Sequence, residues 1–241
     1  MQLKVASHPL IEQALQRHTM FKVFVFIFCT AIPWPAKRWL LLKLYGYEIH
    51  ETSRIGLAWV FPDKLVMEAH SSIGHLTVCK GMRLVHLEEH ASLGRLNWVS
   101  GFPANHPKHF AQVKGRDPAL LLGRHSAVTN RHLIDCTDTV SIGEFSILAG
   151  FRSQILTHSV NIESSRQSSS PIHVGAYCFV GTDCVLLGGS VLPDCSVLGA
   201  KSLLNCALKE QHTLYGGVPA RAIKSISKDA AFFARKVGFV D

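Results

Sequence analysis

The sequence predicts an all-β fold: a parallel β-helix built on a six-residue repeat. Three observations predict it. Stepping by six from Val174 meets Val180, Leu186, Leu192, Leu198 and Leu204, all branched aliphatics. Four residues after the first five of these stand Cys178, Cys184, Ser190, Ser196 and Ser202, all small. Gly175, Gly181 and Gly199 directly follow three of the aliphatics, and Pro193 follows a fourth. Neither a helix nor an alternating strand has a period of six. Six residues are one short strand and one turn. The aliphatic points inward, the small residue fits the corner, and glycine permits the bend. Three such units close a triangular coil, and the next coil stacks one strand spacing above it. Each aliphatic then lies on its counterpart three units on, and its burial contributes roughly 1.5–3 kcal/mol to a core that neighbouring coils share.

Residues 1–48 read as an N-terminal cap. The apolar run from Val23 to Ile32 is closed by Pro33 and Pro35 and is too short to span a bilayer. Lys37, Arg38, Trp39 and Lys43 follow, with Leu40 to Leu42 among them. A packed helical cap is the favoured reading. An interfacial segment in peripheral contact with a membrane is the alternative.

Residues 49–208 read as the repeat itself. Ile49, Ile55, Phe61, Met67, Ile73, Cys79 and Val85 are in register. Leu87, Leu93 and Val99 continue after a shift of two, with Gly94 in place. Leu122, Val128, Ile134 and Val140 resume the register, and Ile142 and Leu148 follow another such shift. Residues 101–119, with Pro103, Pro107 and Pro118, break it, and so do the polar residues 159–171. In a solenoid such insertions become outer loops, and loops carry function. Residues 209–241 read as a C-terminal extension with a helix from Ser227 to Val237. Ser225 or Ser227 would be its N-cap, and it would cover the open edge of the last coil. The period does not fix the hand of the coil, and the general rule for parallel crossovers gives a right-handed one.

The net charge of +8 points to an anionic partner. The basic residues are scattered without interleaved aromatics, which argues against nucleic acid. The seven cysteines include no CxxC pair and read as reduced thiols of a cytoplasmic protein. No small-residue cleavage site follows the apolar run, so no signal peptide is predicted. Under the interfacial reading the protein would sit at the inner face of the cell membrane.

The register, together with Gly217-Val218-Pro219-Ala220-Arg221, resembles the left-handed β-helix acyltransferases. Ile134-Asp135, Val140-Ser141-Ile142-Gly143, Ile155-Leu156-Thr157-His158 and Ile172-His173-Val174-Gly175 follow the order of bacterial polysaccharide O-acetyltransferases of the colanic-acid type. The resemblance implies a left-handed coil, a homotrimer and acetyl-CoA bound between neighbouring subunits. It implies direct acetyl transfer to a saccharide hydroxyl in polysaccharide or lipopolysaccharide biosynthesis, on an acceptor that is lipid-linked if the membrane reading holds.

A sugar hydroxyl is a poor nucleophile at neutral pH and needs a base, usually histidine. The resemblance puts that role on His158. The imidazole needs its other nitrogen held; Asn161 and Glu163 are near in sequence, which does not choose between them. Asn130 and Asp135 fall where similar transferases contact the acceptor. A turn-capping role is the alternative for Asp135. Phe179, Gly181, Thr182, Gly199 and Ala200 fall on the expected CoA wall. Lys201, Arg221 and Lys224 fall near its phosphates, although Asn205-Cys206-Ala207 replaces a lysine usual after the last repeat.

Three other functions compete: N-acetylation of an amino sugar, a non-enzymatic scaffold, and a zinc hydratase of the γ-class carbonic anhydrase type. His70, His90 and His125 each lie three residues after a core aliphatic, so they should share one corner of the coil. His70 and His75 have a zinc-like spacing, but the upstream third histidine is missing, so no metal is expected. Cys178 and Cys184 read as core filler rather than nucleophiles.

Overall fold

The computed structural model of the protein describes residues 32–104, 109–110 and 112–240. The apolar run before Ile32 therefore lies outside the described residues, as does Pro107. The described chain winds as a triangular prism. Parallel strands recur on three sheets in the order first, second, third, and each sheet pairs a strand with its counterpart one coil on. Three corners separate the sheets; the third leads from the third sheet back to the first.

Inward residues stack in register, as in Val99, Ile134, Ile155, Leu186 and Leu204 on the third sheet. All five are fully buried. The predicted register needs one correction. Val60, not Phe61, pairs with Cys79 and points inward. The two-residue shifts also have a cause. First-sheet strands such as Leu84–Leu87 and Ala119–Leu122 are longer than the two-residue strands of the second sheet and bury two inward aliphatics each, Val85 with Leu87 and Leu120 with Leu122.

The corners pack tightly. A Cβ on Gly94 would lie 2.1 Å from the Thr129 carbonyl oxygen of the next coil. That atom is backbone and cannot move away without parting two coils. Gly94→Ala is expected to destabilise the fold by about 1–3 kcal/mol, read as a lower midpoint in urea unfolding.

The N-terminal cap contains helix α1, Trp34–Tyr45, ended by Gly46 in the left-handed conformation. Lys37 is buried and donates from Nζ to the Gly56 carbonyl, while Arg38 donates to that of Ile49. The helix thus occupies carbonyls at the first coil, where an open edge would invite pairing with another chain.

At the other end the predicted C-terminal helix is absent. Thr213–Gly216 and Arg221–Ser225 form a hairpin on the edge of the second sheet. Only a short 3-10 turn, Ala231–Ala234, follows. Ser227 accepts a hydrogen bond from the Asp229 amide but starts no helix. The tail runs back along the first corner instead of across the last coil. Tyr177 donates to the Arg235 carbonyl, and Gly238 packs on His125. Phe232 meets Phe179 and stacks with the Arg235 guanidinium. These tertiary contacts outweigh the weak local helix signal of the segment.

Candidate active site

Both breaks in the repeat leave the third corner, two coils apart, and they meet. Residues 159–171 are not a loop. His158–Asn161 and Arg166–Ser169 form an antiparallel hairpin, and His158 opens its first strand. His109 Nδ1 lies 3.0 Å from Gln167 Oε1, and the Gln112 side chain donates to the Gln167 carbonyl. His158 sits at the base of this junction.

Its partner is Asp135. Asp135 pairs with Leu156 across the third sheet, which sets it beside the residues that follow Leu156. His158 Nδ1 lies 2.7 Å from Asp135 Oδ2. The His158 and Thr157 amides and the Thr157 hydroxyl also reach Oδ2, and the Thr137 amide and hydroxyl reach Oδ1. Both carboxylate oxygens are thus engaged within the protein. The Asp135 carboxylate, expected at the acceptor, is buried and turned to the histidine, and it caps its own turn through the Thr137 amide. Asn161 and Glu163 are not partners either. The Asn161 side chain caps its own turn at Ser164, and Glu163 is exposed.

The electrostatics suit a base. The hydrogen bond that His158 donates to Asp135 raises the His158 pKa above its ordinary value, although burial opposes this. Burial alone would raise Asp135, but hydrogen bonds from His158, Thr137 and Thr157 hold its carboxyl below the usual value. With Nδ1 on the carboxylate, Nε2 is the nitrogen left to take a proton. The His158 side chain is 34% exposed, so a substrate can reach it.

The other predicted site residues lie elsewhere. Asn130 is at the second corner, where its side chain accepts from the Arg95 amide. Strand Leu133–Asp135 separates the two, so Asn130 and Asp135 lie toward opposite margins of the third sheet. Gly181, Thr182, Gly199, Ala200 and Lys201 also line the second corner, and Phe179 faces out from the second sheet. The Thr182 hydroxyl is tied to the Phe151 backbone, and Lys201 pairs with Asp183 at 2.9 Å. Arg221 and Lys224 are exposed on the C-terminal hairpin strand. One chain therefore holds the predicted CoA wall and His158 on opposite margins of the third sheet.

His70, His90 and His125 do share the first corner. Their rings stack at 4.7 and 4.6 Å between centroids, and Phe145 and Tyr177 extend the stack. Stacked rings do not converge on a point as zinc ligands must. Among the described residues no three His, Cys, Asp or Glu side chains group to hold a metal. Burial pushes the Cys79 and Cys178 thiols up to about 12, which suits core filler.

No family model and no curated protein matches the sequence. Solved structures do match. The polysialic acid O-acetyltransferase OatWY superimposes with a TM-score of 0.53 over 74% of this chain and 84% of that one, at 16% identity. The fold is a left-handed parallel β-helix of the hexapeptide-repeat kind. The general crossover rule thus fails here. The hexapeptide-repeat acetyltransferase VCA0836 from Vibrio cholerae, complexed with acetyl coenzyme A, aligns over 84% of each chain at 16% identity and a TM-score of 0.47. A second structure of VCA0836 matches over 45% of this chain and 64% of that one, at 24% identity and a TM-score of 0.43.

Proposed function

We propose that the protein is an acetyl-CoA-dependent O-acetyltransferase that acetylates a saccharide hydroxyl, with His158 as general base. The Asp135–His158 pair carries this reading. It is a buried carboxylate holding one nitrogen of an accessible imidazole, which is the arrangement needed to take a proton from a hydroxyl. In this reading His158 Nε2 accepts the hydroxyl proton as the sugar oxygen attacks the thioester carbonyl. The carbon–sulfur bond breaks as the tetrahedral intermediate collapses, and the proton passes to the departing CoA thiolate. OatWY is a polysialic acid O-acetyltransferase of the same fold, which supports a saccharide acceptor. Calorimetry with CoA tests the cofactor: no binding would favour the scaffold reading. Acetyl transfer to a panel of sugars and amino sugars separates O- from N-acetylation.

The proposal includes a homotrimer with CoA between subunits. The outer face of the third sheet supports it. Trp59, Val78, Trp98 and Leu133 form one outward column there, and Trp98 is 46% exposed. Such a stripe suits burial against another copy. A neighbour docked along it would bring its own second corner toward His158. Trp98→Arg is expected to shift the trimer to monomers in sedimentation velocity and to abolish transfer. A buried interface tryptophan is typically worth about 2 kcal/mol or more.

The acceptor in this proposal is lipid-linked, and the N-terminal cap contacts the membrane surface peripherally, on the cytoplasmic side. Exposed Trp39 and Leu44 on α1, directly after the apolar run, support this part. No described helix is long and apolar enough to cross a membrane.

A further inference from the structure

The first insertion contributes a buried arginine that the repeat does not require. Arg116 is 7% exposed. Its guanidinium donates to the carbonyls of Phe102, Pro103 and Ala104 in the insertion, and to that of Thr137 in the next coil. It also lies over the Phe110 ring, 4.8 Å from the centroid. Thr137 is the residue whose amide and hydroxyl hold Asp135 Oδ1. One side chain therefore joins the insertion to the coil that carries the carboxylate.

The rings it fixes bear on the imidazole. Phe110 meets His158 at 5.7 Å and 83°, and Phe102 meets it at 6.2 Å and 85°. Both are edge-on contacts of the favoured kind. Phe110 is itself buried, so it forms a wall rather than an open platform. Arg116 cannot be replaced by lysine in this role, because four carbonyls need the donors of the planar fork.

We propose that Arg116 is a positioning residue for His158: it fixes Phe102 and Phe110 as a wall that holds the imidazole on Asp135 and excludes water from one side. The proposal rests on His158 being the base. The ionisable groups around the imidazole are Asp135 on the third sheet, Asp138 at the third corner, and His109 and Arg116 in the insertion. Asp138 accepts from Ser169 in the hairpin, and His109 is engaged with Gln167. Opening the wall loosens the imidazole from Asp135, whose hydrogen bond is the largest cause of its raised pKa; this outweighs the added hydration, which acts the other way, so the pKa falls.

The test uses the full chain in three variants: Arg116→Met, Phe110→Ala and Phe110→Leu. The His158 imidazole is titrated by NMR on histidine-labelled protein and assigned by its absence from His158→Ala. Transfer kinetics are measured on the same samples. Arg116→Met and Phe110→Ala are expected to lower the His158 pKa and lower kcat about 10- to 100-fold. KM for acetyl-CoA should stay within about twofold, since the wall touches none of the predicted CoA residues. Phe110→Leu keeps bulk but loses the ring edge on His158 and the ring under Arg116, so its effects should be in the same direction and smaller than those of Phe110→Ala. If Arg116→Met does not fold, Phe110→Ala decides by the same readouts. A folded variant with unchanged His158 titration overturns the proposal. An unchanged kcat with a shifted titration also overturns it. If the wild type transfers no acetyl group, the function proposed above fails while the titration still decides the wall.

Discussion

Replacing Asp135 with asparagine is expected to lower kcat for acetyl transfer by on the order of 10²–10⁴-fold. The carboxylate accepts from His158 Nδ1 at 2.7 Å, which leaves Nε2 free of a proton. An asparagine can instead donate from its amide to Nδ1. The proton then stays on Nε2, and the imidazole presents a donor where a base is needed. The variant also changes the pH profile. Neutral His158 is the active form, and Asp135 raises its pKa above the ordinary 6.5. Wild-type kcat/KM should therefore rise with pH through a midpoint above 6.5, and the Asp135→Asn midpoint should fall toward or below it. Initial rates between pH 5 and pH 9 check both shifts.

The same pair sets a stability window. The raised His158 pKa contributes stability that is fully present below 6.5 and is lost as pH rises through its folded value. The lowered Asp135 pKa contributes stability that is present above 3.8 and is lost as pH falls through its folded value. Both contributions operate between these limits. Asp135→Asn should thus lower the melting temperature more at pH 5–6 than at pH 9.

Replacing His158 with alanine is expected to lower kcat by at least ~10²-fold while the proposed trimer persists. The side chain is at a corner and one-third exposed, and it contributes nothing to the stacked aliphatic core. Truncation leaves the Asp135 carboxylate bonded to Thr137 and Thr157. The loss should therefore fall on kcat, with KM for acetyl-CoA little changed. Near wild-type turnover would remove His158 from the chemistry.

The fold was legible because the period of six is a local pattern repeated many times. Errors came where it is locally ambiguous. Val60 and Phe61 are adjacent apolar residues, and only pairing with Cys79 decides which one points inward. The C-terminal segment carries helix-compatible residues, but the ring contact of Phe232 with Phe179 and the hydrogen bond from Arg235 to the Phe145 carbonyl hold it otherwise. The site was half legible. The resemblance singles out His158, and Asp135 stands out in sequence without its link to His158. Its partnership crosses a coil, between residues that are neighbours only when the third-sheet strands stack. Aligning Asp135 with Leu156 in register would have found it. Phe102, Phe110 and Arg116 gave no such signal, because an insertion has no register from which to count.

The most direct measurement is mass spectrometry of a saccharide acceptor after incubation with acetyl-CoA and either wild type or His158→Ala. The wild type is expected to yield O-acetylated sugar, and the variant none above the enzyme-free control. Equal acetylation by the two proteins, or CoA thiol release without acetylated sugar, would contradict the proposed function.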